Sequence, residues 1–122
     1  MDARLRDGIR LFNDRRFFES HEALESFYQD TEAENKPFLE GVIQLAAAFR
    51  MFADFGEIKG AVRMIHQALI RFENFQPAFL QVRVKDLCQA AEAWAKAAEA
   101  ANVQPSTETI PKIQFQRFSF FS

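Results

Sequence analysis

The sequence runs to 122 residues, 48% hydrophobic and 26% charged, the proportions of one globular domain whose core needs no disulfide or metal staple. Fifteen Lys and Arg against seventeen Asp and Glu leave a net charge of −2, which excludes a strongly basic nucleic-acid surface and gives no drive toward anionic membranes. One cysteine excludes an intrachain disulfide framework, and fifteen phenylalanines against four glycines and four prolines point to compact, aromatic-packed helices.

The opening residues, Met1 to Asp7, alternate charged and apolar side chains and lack the apolar run of a secretory leader. The longest apolar run, Gly41 to Phe49, falls well short of the roughly twenty residues that a bilayer demands. A cytoplasmic protein without nucleic-acid or membrane partners is the expectation.

Five helices follow from the hydrophobic period. The first, about 2–14, sets Leu5, Ile9 and Phe12 on one stripe; the second, about 17–30, carries Phe17, Leu24 and Tyr28 on one face. A polar tract, Thr31 to Lys36, separates it from a third helix that starts near Pro37, a residue suited to a first turn. That helix runs to about Phe55, where Gly56 supplies a left-handed stop. Between Gly41 and Phe49 it is apolar around its circumference, as a helix buried on all sides would be. The fourth, about 57–73, has the cleanest stripe (Ile58, Val62, Ile65, Leu69, Phe72), and Asn74 to Pro77 break it. The fifth, about 84–101, aligns Leu87, Ala91, Trp94 and Ala98 and is rich in alanine, the strongest helix former. Short connections favour an all-α five-helix bundle or array.

Residues 103–122 read differently. Pro105 and Pro111 precede Ile113, Phe115, Phe118, Phe120 and Phe121, and the alternation from Ile113 to Gln116 suits an extended strap. The expected division is a helical domain over 1–102 and an extended, Phe-rich tail over 103–122. So many phenylalanines left in water would form a sticky patch, so the tail should lie on its own domain, the favoured arrangement, or on a neighbouring subunit as a homodimer contact.

One polar cluster stands on an apolar face. Phe17, Leu24 and Tyr28 fall within about 40° on a helical wheel, and His21 lies in the same arc with Glu25 on its flank and Glu22 further round. An imidazole and a carboxylate four residues apart can form a hydrogen-bonded pair or supply two ligands to one metal. In the third helix, Gln44 is the one polar side chain between Gly41 and Phe49, on a narrow stripe with Gly41 and Ala48. A buried amide needs a partner, and His21 and Glu25 are the nearest candidates in chain order.

These residues also carry a family resemblance. Leu11-Phe12-Asn13, Phe17-Phe18-Glu19-Ser20-His21-Glu22-Ala23-Leu24-Glu25, Phe38-Leu39-Glu40-Gly41-Val42-Ile43-Gln44-Leu45-Ala46 and Gly60-Ala61 resemble the domain-of-unknown-function 309 family of small all-helical prokaryotic proteins. Gln76-Pro77-Ala78-Phe79 before the fifth helix suits its layout too. The resemblance implies a multihelical bundle with a polar site around His21, Glu22, Glu25 and Gln44, and no agreed activity. This chain departs from the family where it has Tyr28, often a tryptophan, and where Phe49-Arg50-Met51 stands in place of a frequent histidine. A second imidazole ligand at that place is therefore missing.

The cluster supports two functions. The favoured one is a binding or interaction module whose His21, Glu22, Glu25 and Gln44 line a pocket for an unidentified small ligand or organise the core. The alternative is a metal-dependent, hydrolase-like enzyme using His21 and the two glutamates, with His21 and Glu25 as the ligands of a divalent ion, Glu22 as a third candidate, and further ligands required from another helix. Nothing identifies a substrate, and no Gly-rich phosphate cradle, Gly-x-Ser-x-Gly or Cys-x-x-Cys occurs. His66 should face solvent, Cys88 should be an inert packing thiol, and Lys59, Arg63 and Arg71 should form a solvated basic edge.

Overall fold

The computed structural model describes residues 1–101 and 103–116. Asp2 starts α1 (Ala3–Asn13) by accepting the Arg4 amide at 2.8 Å, and the helix closes where Arg15 turns left-handed at φ 66°. There the Arg15 and Arg16 amides return to the Phe12 and Leu11 carbonyls at 3.0 and 2.9 Å, an ending usually built on glycine. The chain reverses into α2 (Phe17–Asp30), and Arg4 reaches across to Asp30 at 2.6 Å, tying the start of one helix to the end of the other. A single 3-10 turn, Ala33–Asn35, leads into α3 (Lys36–Phe55), with Pro37 in its first turn and Gly56 as a left-handed cap at φ 66°. Next come α4 (Ile58–Phe72), a 3-10 turn at Glu73–Phe75, and α5 (Val84–Ala100). The described residues form an all-α array of five helices, each bound lying within a residue or so of the sequence expectation.

Central in the array, α3 packs on both α2 and α4; α1 lies on α2, and α5 on α4. Many of the phenylalanines pack in two groups through edge-on and tilted ring contacts. Phe12, Phe17 and Phe49 meet at 5.2–6.0 Å, and Trp94 joins them through Phe49 (5.1 Å) and Phe52 (4.9 Å). The second group, Phe38, Phe72, Phe75 and Phe79, closes the other part of the core at 4.7–5.7 Å. The helix α3 is not enclosed on every side, however: Ile43, Gln44 and Ala47 are only half-buried, since no helix covers that strip completely.

Two features lie outside the helical pattern. Between α4 and α5 a two-residue turn puts Leu80 and Gln81 at positive φ (47° and 66°), and Phe79 and Val82 exchange both backbone hydrogen bonds across it. Residues 103–116 then run back over the array without α-helix. Ile110 and Ile113 are buried, Asn13 holds the Ile113 backbone by two bonds of 2.8 and 2.9 Å, and the Gln116 amide bonds the Gln81 carbonyl at 2.7 Å. Phe118, Phe120 and Phe121, on which the expected homodimer contact depends, lie outside the described residues.

Candidate functional site

The buried face of α2 consists of Phe17, Ser20, Leu24 and Phe27, one position round from the expected Phe17, His21, Leu24 and Tyr28. Ser20 decides the rotation. It is small enough to sit wholly buried between α2 and α1, and its Oγ donates to the Gly8 carbonyl at 2.7 Å. His21 and Tyr28 are thereby moved to the rim of the core, where polar groups keep access to water.

The expected network of His21, Glu25 and Gln44 therefore does not form. His21 Nε2 stands 3.6 Å from Glu25 Oε2, beyond a good hydrogen bond, with the two side chains 40% and 46% exposed. Glu22 is exposed and makes no ion pair among the described residues. Gln44 turns to α4: its Oε1 accepts from Arg71 Nε at 3.0 Å, and its Nε2 donates to Gln67 Oε1 at 3.4 Å. The small residues Gly41 and Ala48 that flank Gln44 on this stripe let a helix come close, and that helix is α4, since Gly41 lies against the ring of Phe72.

Glu40 is the hub that sequence reasoning missed. Its Oε2 accepts from Arg71 Nη1 at 2.5 Å and its Oε1 accepts from the Tyr28 hydroxyl at 2.7 Å, so one carboxylate joins α2, α3 and α4. Lys36 Nζ lies 5.0 Å from the Tyr28 ring centre. The hydrogen bond to Glu40, then partial burial and the negative charges of Glu40 and Glu25, push the Tyr28 phenol above its ordinary pKa and keep it a donor. Arg71 belongs to this assembly while staying exposed, as Lys59 and Arg63 are, so the expected solvated basic edge stands and Arg71 is its one member tied into the cleft. A signal existed for the pair on α3, since Glu40 and Gln44 are four residues apart on one helix face.

Glu25, Tyr28, Glu40, Ile43, Gln44 and Arg71 together line a shallow cleft of about 270 Å3 between α2, α3 and α4. Of the expected site residues it takes in Glu25 and Gln44, with His21 one turn away and Glu22 outside. Among the described residues no group of three or more His, Cys, Asp or Glu comes together as metal ligands, so His21 and Glu25 find no third protein ligand and the pair does not fit a divalent-ion site. Elsewhere His66 is 52% exposed beside Glu99 at 3.5 Å. Cys88 is buried, and desolvation raises its thiol pKa.

Residues 5–64 match the model of a known family, Domain of unknown function (DUF309). Over those residues, just under half of its length, the chain is DUF309-like. The match covers α1 to α3 and the first part of α4, so it includes Glu25, Tyr28, Glu40, Ile43 and Gln44 and ends before Gln67 and Arg71. Gln76-Pro77-Ala78-Phe79, which the sequence resemblance also took in, lies beyond it. Among the curated proteins none matches this chain.

Proposed function

We propose that this protein is a small-ligand binding module and that the Glu25–Tyr28–Glu40–Ile43–Gln44–Arg71 cleft is its site. The observation that carries the reading is the held guanidinium: Glu40 and Gln44 fix Arg71 at two nitrogens beside the half-buried apolar side chain of Ile43. A few oriented polar groups around an apolar surface is the usual make-up of a small-molecule site. Binding is favoured over the metal-dependent, hydrolase-like alternative because His21 and Glu25 lack a third ligand among the described residues. In this reading residues 1–102 form the binding domain and 103–122 a tail, of which 103–116 run back over the array. A cytoplasmic setting accords with the lone, buried Cys88. No helix among the described residues is long and apolar enough to cross a membrane.

The test is a screen of small polar fragments against the 15N-labelled chain, read by amide chemical shifts. Fragment binding should move the amides of the cleft residues, and Gln44→Leu should abolish those shifts with helix content unchanged. Responses scattered over other surfaces, with the cleft silent, would remove the site.

A further inference from the structure

We propose that the ligand of this cleft is a free amino acid with an aliphatic side chain; the inference rests on the cleft being a binding site. Both oxygens of Glu40 are taken, one by Tyr28 and one by Arg71, so Glu40 is a support and has no lone carboxylate oxygen to offer. Arg71 is held at Nη1 and Nε, while its Nη2 has no hydrogen-bond partner among the described residues and the side chain is 41% exposed. A guanidinium held in this way presents Nη2 as a pre-oriented, charged donor to an oxygen of a ligand carboxylate. Glu25 provides the opposite charge. Among the described residues its carboxylate has one close side-chain contact, His21 Nε2 at 3.6 Å, too long for a good hydrogen bond, so its oxygens remain open to an ammonium group.

Charge selects among simple ligands. The lining holds two carboxylates and one guanidinium, so a plain carboxylic acid meets net negative charge. A plain amine satisfies Glu25 and leaves Arg71 Nη2 unmatched. A zwitterion answers both. Ile43 and the Tyr28 ring supply the apolar surface for an aliphatic side chain, and about 270 Å3 accommodates a ligand of amino-acid size.

The experiment titrates the full chain with L-leucine, 4-methylpentanoate and isopentylamine, which are the intact zwitterion and its deaminated and decarboxylated forms. Leucine should shift the amides of the cleft residues and bind at least about tenfold more tightly than either analogue. Glu25→Gln, a half-exposed site whose change should not unfold the chain, should weaken leucine, whereas 4-methylpentanoate, relieved of one repelling carboxylate, should hold or gain affinity, so that the two converge. An analogue that binds as tightly as leucine overturns the zwitterion, as does equal leucine affinity in Glu25→Gln. If leucine leaves the cleft amides unmoved while polar fragments shift them, the ligand class is wrong and the site stands. If neither moves them, both fall.

Discussion

Gly41→Ala tests the contact that sets the cleft. A methyl group at Gly41 would lie 2.6, 2.9 and 3.1 Å from Cε1, Cζ and Cδ1 of Phe72. That ring cannot withdraw, because Phe72 is wholly buried and backed by Phe38 at 5.6 Å. Overpacking of this kind costs about 1–3 kcal/mol, against a gain of about 1 kcal/mol from replacing a mid-helix glycine by alanine. Because the ring cannot withdraw, the cost lies in the upper half of that range, about 2–3 kcal/mol, and a net loss of about 1–2 kcal/mol is expected. Gly60→Ala is the control. Its methyl would lie 2.5 Å from Met51 Cε, but that atom is the free end of a flexible side chain and can swing aside. Its change should be neutral or stabilising by about 0.5 kcal/mol. In urea, followed by far-UV circular dichroism, the two variants should differ in midpoint by roughly 1 M or more for a slope of about 1–2 kcal/mol/M. Glu40 precedes Gly41 and Arg71 precedes Phe72, so separating α3 from α4 at this point should also loosen the Glu40–Arg71 pair. Equal stabilities for the two alanine variants would refute the close approach of α3 and α4.

Three further outcomes follow from other contacts. Asn13→Ala removes both hydrogen bonds to the Ile113 backbone, so limited proteolysis should cut within 111–116 far sooner than in wild type while the helices stay intact. The buried, desolvated thiol of Cys88 should resist iodoacetamide in the folded chain, as judged by intact mass, and be alkylated promptly in urea; fast native labelling would contradict its burial. Tyr28 is raised above its ordinary pKa of about 10 by Glu40, so its bond should stabilise the fold at and below that pH and the benefit should vanish as pH climbs through the raised value. The stability difference between wild type and Tyr28→Phe should accordingly stay constant up to pH about 10 and narrow above it, which urea titrations at several pH values would measure.

Helix positions were legible in the sequence because hydrophobic period, Pro37 and Gly56 all agree locally. The face of α2 was not, and the cause is one side chain. Ser20 is polar by composition yet wholly buried, because a bond to the Gly8 carbonyl satisfies it; counting only apolar residues placed the stripe one position away and put His21 inside it. Gln44 failed for a related reason. Chain order made α2 its neighbour, whereas the close packing of Gly41 on Phe72 made it α4, a relation between residues far apart in sequence. Glu40 and Arg71 are ordinary surface charges until α3 and α4 are brought together, and no local pattern announces that. The turn at Leu80 and Gln81 was hidden for the opposite reason, since both residues adopt a left-handed conformation without the usual glycine or asparagine to mark it.

The position of Arg71 has a further consequence for the cleft. Its carboxylates, phenol and amide come from residues 5–64, the segment that matches DUF309, while the guanidinium comes from later in α4. The charge that selects the ligand is therefore supplied separately from the frame that receives it. Replacing Arg71 by Gln keeps a hydrogen-bonding amide near Glu40 and Gln44 but leaves Glu25 and Glu40 without a balancing cation in the lining. Exposed pairs such as Glu40–Arg71, each side chain 37–41% exposed, contribute little to stability, so the variant should fold and melt close to wild type. Its preference should change sign: leucine should weaken, and isopentylamine, repelled by nothing and drawn by two carboxylates, should become the tighter ligand. Retention of the wild-type preference for leucine in a folded Arg71→Gln chain would show that the carboxylate of the ligand is held by some other group, and the assignment of Arg71 would be wrong.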